Sequence, residues 1–244
     1  MALLASSFGH ITDPTFTEAS IHVNDFAPRL DILPPPQRAV WDQLACIPRS
    51  FVLYGGTAVA LRLAHRTSVD FDFFSNDPFT PNDLLRQLES LTITQRLQSE
   101  LNTLTVTVGN DLPVKVSFFG GLALRRAAKP DRAPDNQLVV ASMLDLAATK
   151  MTVVQDRAEQ KDYLDIAAII NAGISLEHAL GAAKAAYGST FNPAITLKAL
   201  VFFDDGDLPA LPDHVKQSLA SAATNIGTPL DIAPAGDRID AAAT

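Results

Sequence analysis

Two aspartates stand two residues apart in the run Val69-Asp70-Phe71-Asp72-Phe73-Phe74. The alternation predicts a strand over residues 69–74, with Val69, Phe71 and Phe73 on one face and Asp70 and Asp72 on the other. Residues i and i+2 of a strand lie about 6–7 Å apart. Two carboxylates so placed can bracket a hard divalent cation, which prefers oxygen ligands. Gly55-Gly56, separated from Asp70 by thirteen residues, closes the apolar run Phe51-Val52-Leu53-Tyr54. Glycines at a strand-to-helix turn let backbone amides come close to a phosphate chain. Each feature alone has an ordinary reading, a turn or the solvated face of a strand. Together, in strand–turn–helix–strand order, they make a place for Mg2+ or Mn2+ and a nucleoside triphosphate. Asp70 and Asp72 are the expected metal ligands and catalytic carboxylates. Gly55, Gly56 and Thr57 are expected at the phosphates, with Arg66 and Ser68 from the segment before the second strand.

A second cluster is basic. Lys150, Arg157 and Lys161 recur at spacings of seven and four, followed by Asp162 and Asp165. On a continuous helix the three cations would share one face, and the expected role is a cationic wall toward the triphosphate or an RNA backbone. Lys150 is expected in the catalytic set, and Arg157 and Lys161 in nucleotide binding. Asp162 and Asp165 are read as partners of these cations. The ordinary alternative is a solvated helix face.

The run Gly55-Gly56-Thr57-Ala58, then Arg66-Thr67-Ser68-Val69-Asp70-Phe71-Asp72-Phe73, resembles the first motif of the nucleotidyltransferase fold, and within it most the AbiEii/AbiGii toxin family. Lys150, Arg157 and Lys161-Asp162-Tyr163-Leu164-Asp165 resemble the family's helical motif. A weaker match is Leu200-Val201-Phe202-Phe203-Asp204-Asp205. The resemblance implies an α+β fold: a mixed β-sheet with flanking helices, then a C-terminal helical bundle. It implies transfer of a nucleotide from an NTP to an acceptor hydroxyl, with RNA or tRNA as an acceptor. It further implies the role of toxin in a bacterial toxin–antitoxin or abortive-infection system, with a cognate antitoxin as partner. One position departs from the family. Where a third carboxylate is expected, in Pro113-Val114-Lys115-Val116-Ser117-Phe118-Phe119, the residue is Ser117. A hydroxyl is a weaker ligand for Mg2+ and no general base without help. The alternative reading is therefore a nucleotide- or RNA-binding module without efficient transfer. A third is a metal-dependent phosphohydrolase.

The elements that must position these residues follow from pattern. Prolines 34–36 open a helix expected over residues 37–47. Residues 51–54 read as a strand, 57–65 as a helix and 82–91 as another. Three more strands are expected over 92–98, 103–108 and 114–119. Past a loop over 129–134 the sequence reads helical: 142–155, 158–172 with Gly173 as C-cap, 175–187, 193–203 and 213–223. The expected division is a loose arm over residues 1–30 within an α/β part to residue 135, a helical part over 136–222, and a disordered tail over 223–244.

Composition limits the alternatives. The chain of 244 residues carries 19 Lys and Arg against 27 Asp and Glu, a net charge of −8. An acidic chain is ill suited to coat duplex nucleic acid, whose non-specific affinity comes from cations on phosphates. A local basic site remains compatible with it. The single cysteine, Cys46, excludes an internal disulfide or a multi-Cys zinc site and fits a reducing cytoplasm. No apolar run approaches the ~18 residues of a membrane span, and residues 1–10 lack the basic start of a signal peptide. The histidines show no metal spacing. No P-loop or Rossmann glycine motif is present. Arg125, Arg126, Lys129 and Arg132 form a short basic cluster expected in a loop.

Overall fold

A computed structural model describes residues 26–240. The strands are β1 (Val52–Tyr54), β2 (Asp70–Phe74), β3 (Ile93–Glu100), β4 (Thr103–Val108), β5 (Val114–Phe119), β6 (Asp131–Arg132) and β7 (Val139–Val140). They form one mixed sheet in the order β3-β4-β5-β2-β1-β7-β6. The pairs β2–β5 and β1–β7 are parallel and the others antiparallel. The helices are α1 (Pro35–Val40), α2 (Gly55–Leu63), α3 (Pro81–Gln87), α4 (Met143–Val153), α5 (Gln160–Asn171), α6 (Leu176–Tyr187), α7 (Pro193–Ala199) and α8 (Asp213–Thr224).

The sheet is anchored by the alternation read in β2. Phe71 and Phe73 are fully buried, as are Val116 and Phe118 of β5 and Leu104 and Val106 of β4. Phe73 stacks on Phe118 with ring centroids 5.3 Å apart. Burial of one such aromatic face contributes about 1.5–3 kcal/mol per side chain. The opposite face carries Asp70, Asp72, Lys115 and Ser117, with Phe74 and Phe119 at its far end. Val69 was expected in the strand, but β2 starts at Asp70 and Val69 is exposed.

The helix expected over 37–47 is split. The α-helical turn ends at Val40 and a 3-10 segment carries Trp41–Cys46. The Trp41 carbonyl accepts the Asn136 side-chain amide at 3.0 Å, and the Trp41 indole donates to Asp135 at 2.7 Å. These tertiary bonds tie the 3-10 segment to the Asp135–Asn136 turn.

The helical half builds onto the sheet. Ser142 caps α4 by accepting the Asp145 amide at 3.0 Å. The buried Asp145 carboxylate in turn accepts from the amides of Ala127 and Ala128 at 2.6 and 3.2 Å. Ser175 caps α6 in the same way. Helix α4 packs on α5 and α6, and α2 packs on α4 and α5. The position near residue 135 falls between β6 and β7, which pair with each other, and β7 extends the sheet beside β1. One continuous set of buried apolar residues runs from Leu33 to Ile239.

Of the arm expected over 1–30, residues 1–25 lie outside the described residues. Phe26 packs under the Arg62 guanidinium, 4.5 Å from its ring centroid, and the Arg29 amide donates to the Leu61 carbonyl at 2.8 Å. Of the tail expected to be disordered over 223–244, residues 241–244 lie outside the described residues, and residues 225–240 are tied down. The Arg126 guanidinium donates to the carbonyls of Arg238 and Asp240 at 2.7 and 2.9 Å, and Arg238 pairs with Asp77 at 2.8 Å. Ile239 is buried. The segment lacks periodicity because backbone bonds and single anchors hold it, not an amphipathic face. Arg126, read within a solvated basic cluster, is one of those anchors. Among the described residues no single helix is long and apolar enough to cross a membrane.

Candidate active site

Register brings the candidate residues into rows across the sheet. Asp72 lies between Tyr54 of β1 and Ser117 of β5, and Ser117 lies beside Thr105 of β4. One step along, Asp70 lies opposite Lys115 of β5. The predicted third position is therefore next to Asp72 in space, and a buried hydroxyl fills it. Ser117 Oγ accepts a long hydrogen bond from Thr105 Oγ1 at 3.5 Å.

The two glycines have distinct reasons. Gly55 has φ +74°, a left-handed conformation that L side chains rarely adopt. A Cβ there would stand 2.7 Å from Asp72 Oδ2, so glycine also lets the Asp72 carboxylate lie against the backbone. A Cβ on Gly56 would strike the Arg66 guanidinium and stand 3.0 Å from Ser68 Oγ. Both glycines begin α2, whose first amides lack intrahelical acceptors and carry the positive end of the helix dipole. Thr57 is buried, and its hydroxyl donates to the Asp70 backbone carbonyl, pinning the start of α2 to the start of β2.

Asp72 is the uncompensated group of the site. Among the described residues no donor hydrogen-bonds its carboxylate and no cation pairs with it directly. Burial raises its pKa above the ordinary carboxylate value, and the neighbouring Asp70 charge raises it further. The charges of Lys115, Lys150 and Lys161 pull the other way. Asp70 is compensated: the Lys115 ammonium lies 2.8 Å from its Oδ2. The Asp70 hydrogen bond raises the Lys115 pKa, with the Asp70 and Asp72 charges adding to it.

Behind this pair lies a buried ion network. The basic motif does not ride on one helix: α4 ends at Val153 and α5 begins at Gln160. The two helices meet instead through charge. Lys150 Nζ lies 2.6 Å from Asp162 Oδ1 and 2.6 Å from Asp165 Oδ2, and its side chain is 6% exposed. Arg157 Nε pairs with Asp162 at 2.8 Å. Arg66 grips Asp165 with two parallel bonds of 2.6 and 2.8 Å, a geometry suited to guanidinium and carboxylate. His65 donates through Nε2 to the same carboxylate at 2.6 Å. Burial alone would raise both carboxyl pKa values. For Asp165 the His65 and Arg66 hydrogen bonds and the Lys150 charge outweigh it, and the carboxyl is held far below the ordinary range. For Asp162 the Arg157 hydrogen bond and the Lys150 charge do the same. Lys161 pairs at the surface with Glu159 at 2.7 Å.

The expected cationic wall is thus an internal brace. Lys150 and Arg66 are committed to Asp162 and Asp165, and Lys150 reaches Asp72 through its field. Arg66, Lys150 and Arg157 bring three positive charges to the two buried carboxylates, and Arg157 also lies 3.5 Å from Glu159. Within the weak motif at 200–205, Leu200 is buried and Phe203 packs edge-on against Tyr163, ring centroids 6.2 Å apart. The flanking residues tie it to α5: the Ala199 carbonyl accepts the Tyr163 hydroxyl at 3.2 Å, and Asp207 accepts the Gln160 amide. One residue at the site was missed as a participant: Lys115, which the alternation of β5 sets on one face with Ser117. His65 follows the end of α2, and the fold brings it to Asp165.

The donor set fits a hard divalent ion. Among the described residues no group of three or more His, Cys, Asp or Glu is placed to share a metal. Two carboxylates on one strand face, one of them unpaired, leave the rest of the shell to water, as Mg2+ prefers.

Comparison with known proteins bears on the fold and the family. The fold is that of a nucleotidyltransferase: the crystal structure of a candidate nucleotidyltransferase from H. pylori superposes with a TM-score of 0.50 at 16% identity, covering 77% of this chain and 90% of that one. An uncharacterized protein of Aquifex aeolicus is 30% identical over 162 residues, 65% of this chain and 76% of that protein. Residues 47–231 match the family described as nucleotidyl transferase AbiEii toxin, type IV TA system, and the chain belongs to that family.

Proposed function

We propose that this chain is a divalent-cation-dependent nucleotidyltransferase that moves a nucleoside monophosphate from an NTP to an acceptor hydroxyl, acting in the cytoplasm as the toxin of a toxin–antitoxin pair. The observation that carries the reading is the Asp70–Asp72 pair on an open strand face, with Asp72 against Gly55 at the start of α2. Asp70 and Asp72 would hold Mg2+ or Mn2+. When bound, the ion supplies charge stabilisation at the phosphoryl oxygens and acidifies a bound hydroxyl.

The chain's own groups do the rest. The free amides at the start of α2, from Gly55 to Thr57, face where a polyphosphate would lie and offer it donors and the positive helix end. Ser68 stands beside Gly56 to add a hydroxyl donor. Lys115, Lys161 and Arg157 keep part of their side chains exposed. They oppose the negative charge gathered by a triphosphate and by the transition state. Lys150 and Arg66 act as positioning residues through Asp165 and Asp162, fixing α2 and the start of β2 on α5. RNA, including tRNA, is the proposed acceptor, and a cognate antitoxin protein the proposed partner.

Ser117 favours a second reading, a nucleotide-binding module that does not transfer. Incubation with labelled NTPs, Mg2+ or Mn2+ and total RNA separates the two. Label on RNA that disappears in Asp72→Asn supports the transferase. NTP binding without label on any acceptor supports the module, and release of phosphate or pyrophosphate alone supports a hydrolase.

A further inference from the structure

Transfer by paired metal ions about 4 Å apart needs carboxylates that can serve both ions. The row that holds Asp72 offers little beyond it. Its neighbour on β5 is the Ser117 hydroxyl, buried and in contact with Thr105, and its neighbour on β1 is Tyr54. The other carboxylate, Asp70, already shares one oxygen with an ammonium, that of Lys115 at 2.8 Å. Register explains the contact. Lys115 is the direct partner of Asp70 in the parallel β2–β5 pair, and both side chains stand on the polar face.

We propose that the site takes a single divalent ion and that the Lys115 ammonium occupies the place of a second cation. The inference rests on the transferase-type site proposed above and specifies how its charge is supplied. Lys115 is suited to the part. Its side chain is 44% exposed, so the ammonium can turn from Asp70 toward a phosphate when a nucleotide arrives. It is held on a strand rather than a loop, and the pair of residues that would otherwise complete a metal cage, Ser117 and Thr105, contributes only hydroxyls. Before nucleotide binds, Lys115 competes with the metal for Asp70. After it binds, the same ammonium and one Mg2+ share the charge of the triphosphate. Metal and nucleotide should therefore bind with positive coupling that runs through Lys115.

The test counts and weighs ions without any turnover. Mn2+ binding is followed by electron paramagnetic resonance and calorimetry on the full chain, alone and with a non-hydrolysable NTP. The variants are Lys115→Met, Lys115→Arg, Ser117→Asp and Asp72→Asn, with circular dichroism confirming that each is folded. The wild type should bind one Mn2+ per chain, lost in Asp72→Asn. Lys115→Met should bind Mn2+ alone up to roughly fivefold more tightly, the size of a half-exposed ion pair, yet bind the metal–nucleotide complex more weakly. Lys115→Arg should restore the coupling. Ser117→Asp should raise the count to two. If that buried substitution fails to fold, the wild-type count and the Lys115 variants still decide. Two Asp72-dependent ions in the wild type, or a Lys115→Met variant whose metal and nucleotide affinities are both unchanged, overturns the proposal while leaving the site in place. Mn2+ binding that ignores Asp72→Asn overturns the site itself.

Discussion

Asp70 and Asp72 lie two residues apart on β2, and Asp162 and Asp165 lie three apart on α5. All four are aspartates in motifs rich in charge. The fold treats the pairs in opposite ways. Asp162 and Asp165 are fully buried and meet Lys150, Arg157, Arg66 and His65 at 2.6–2.8 Å. Their pKa values are held down. Asp72 is half-buried, without a direct partner among the described residues, and its pKa is pushed up by burial and by Asp70. One pair is neutralised and braces the fold. The other keeps charge in a place that costs stability, which is what a cation-binding site requires. Enough separation exists between the two tasks that substitutions can pull them apart.

The largest effect is expected at the brace. Asp165→Asn leaves Lys150, Arg66 and His65 without their shared acceptor, and breaking a buried pair of this kind costs about 3–5 kcal/mol. For a chain of this size that is a fall in melting temperature of roughly 10 °C, measurable by calorimetry. Removing Asp165 should also flatten the acid limb of stability. A carboxyl whose folded pKa lies below its unfolded value contributes stability that is complete above about pH 4–5 and lost as pH falls toward the folded value. The wild type should lose stability through that window more steeply than Asp165→Asn in urea titrations at a series of pH values.

Asp72→Asn is expected to act in the opposite sense. Here the folded pKa is raised, so the ionised side chain opposes folding at neutral pH. The variant should gain on the order of 1 kcal/mol at pH 7, a trade seen when a functional charge is removed. The gain should vanish at acid pH, once Asp72 of the wild type is protonated. Arg157→Gln should cost about 1 kcal/mol or less, since its guanidinium is 45% exposed and Lys150 still covers Asp162. The smallest change is expected for Asp70→Asn, within about 0.5 kcal/mol, because its exposed pair with Lys115 adds little stability. A loss there as large as at Asp165 would merge the two pairs into one structural unit.

The same contrast marks what the sequence makes legible. The Asp70–Asp72 site is built from local pattern: alternation sets the carboxylates on one face, and Gly55-Gly56 announces the turn beside them. Ser117 could be picked out because the family resemblance implies a third carboxylate at that position. The brace is assembled from residues 65, 66, 150, 157, 162 and 165, and only packing of α2 against α4 and α5 brings them together. Spacing of Lys150, Arg157 and Lys161 suggested a shared helix face, but the helices break at 154–159. Burial then turned Lys150 inward from the expected wall, while Arg157 and Lys161 stay partly exposed. The alternation of β5 sets Lys115 on the Ser117 face, but its pairing with Asp70 depends on strand register, which no short pattern encodes. The tail escaped notice because one arginine, Arg126, and a few carbonyls hold it.

The most direct measurement is thermal unfolding with and without Mn2+ for three proteins: wild type, Asp72→Asn and Asp165→Asn. A ligand that binds only the folded state raises its stability by mass action. If Asp72 belongs to a cation site and Asp165 to the scaffold, Mn2+ raises the melting temperature of the wild type. Asp72→Asn starts at or above the wild type and does not respond. Asp165→Asn starts well below and still responds. An Asp72→Asn protein that melts lower than the wild type, or that gains as much from Mn2+, would contradict the account.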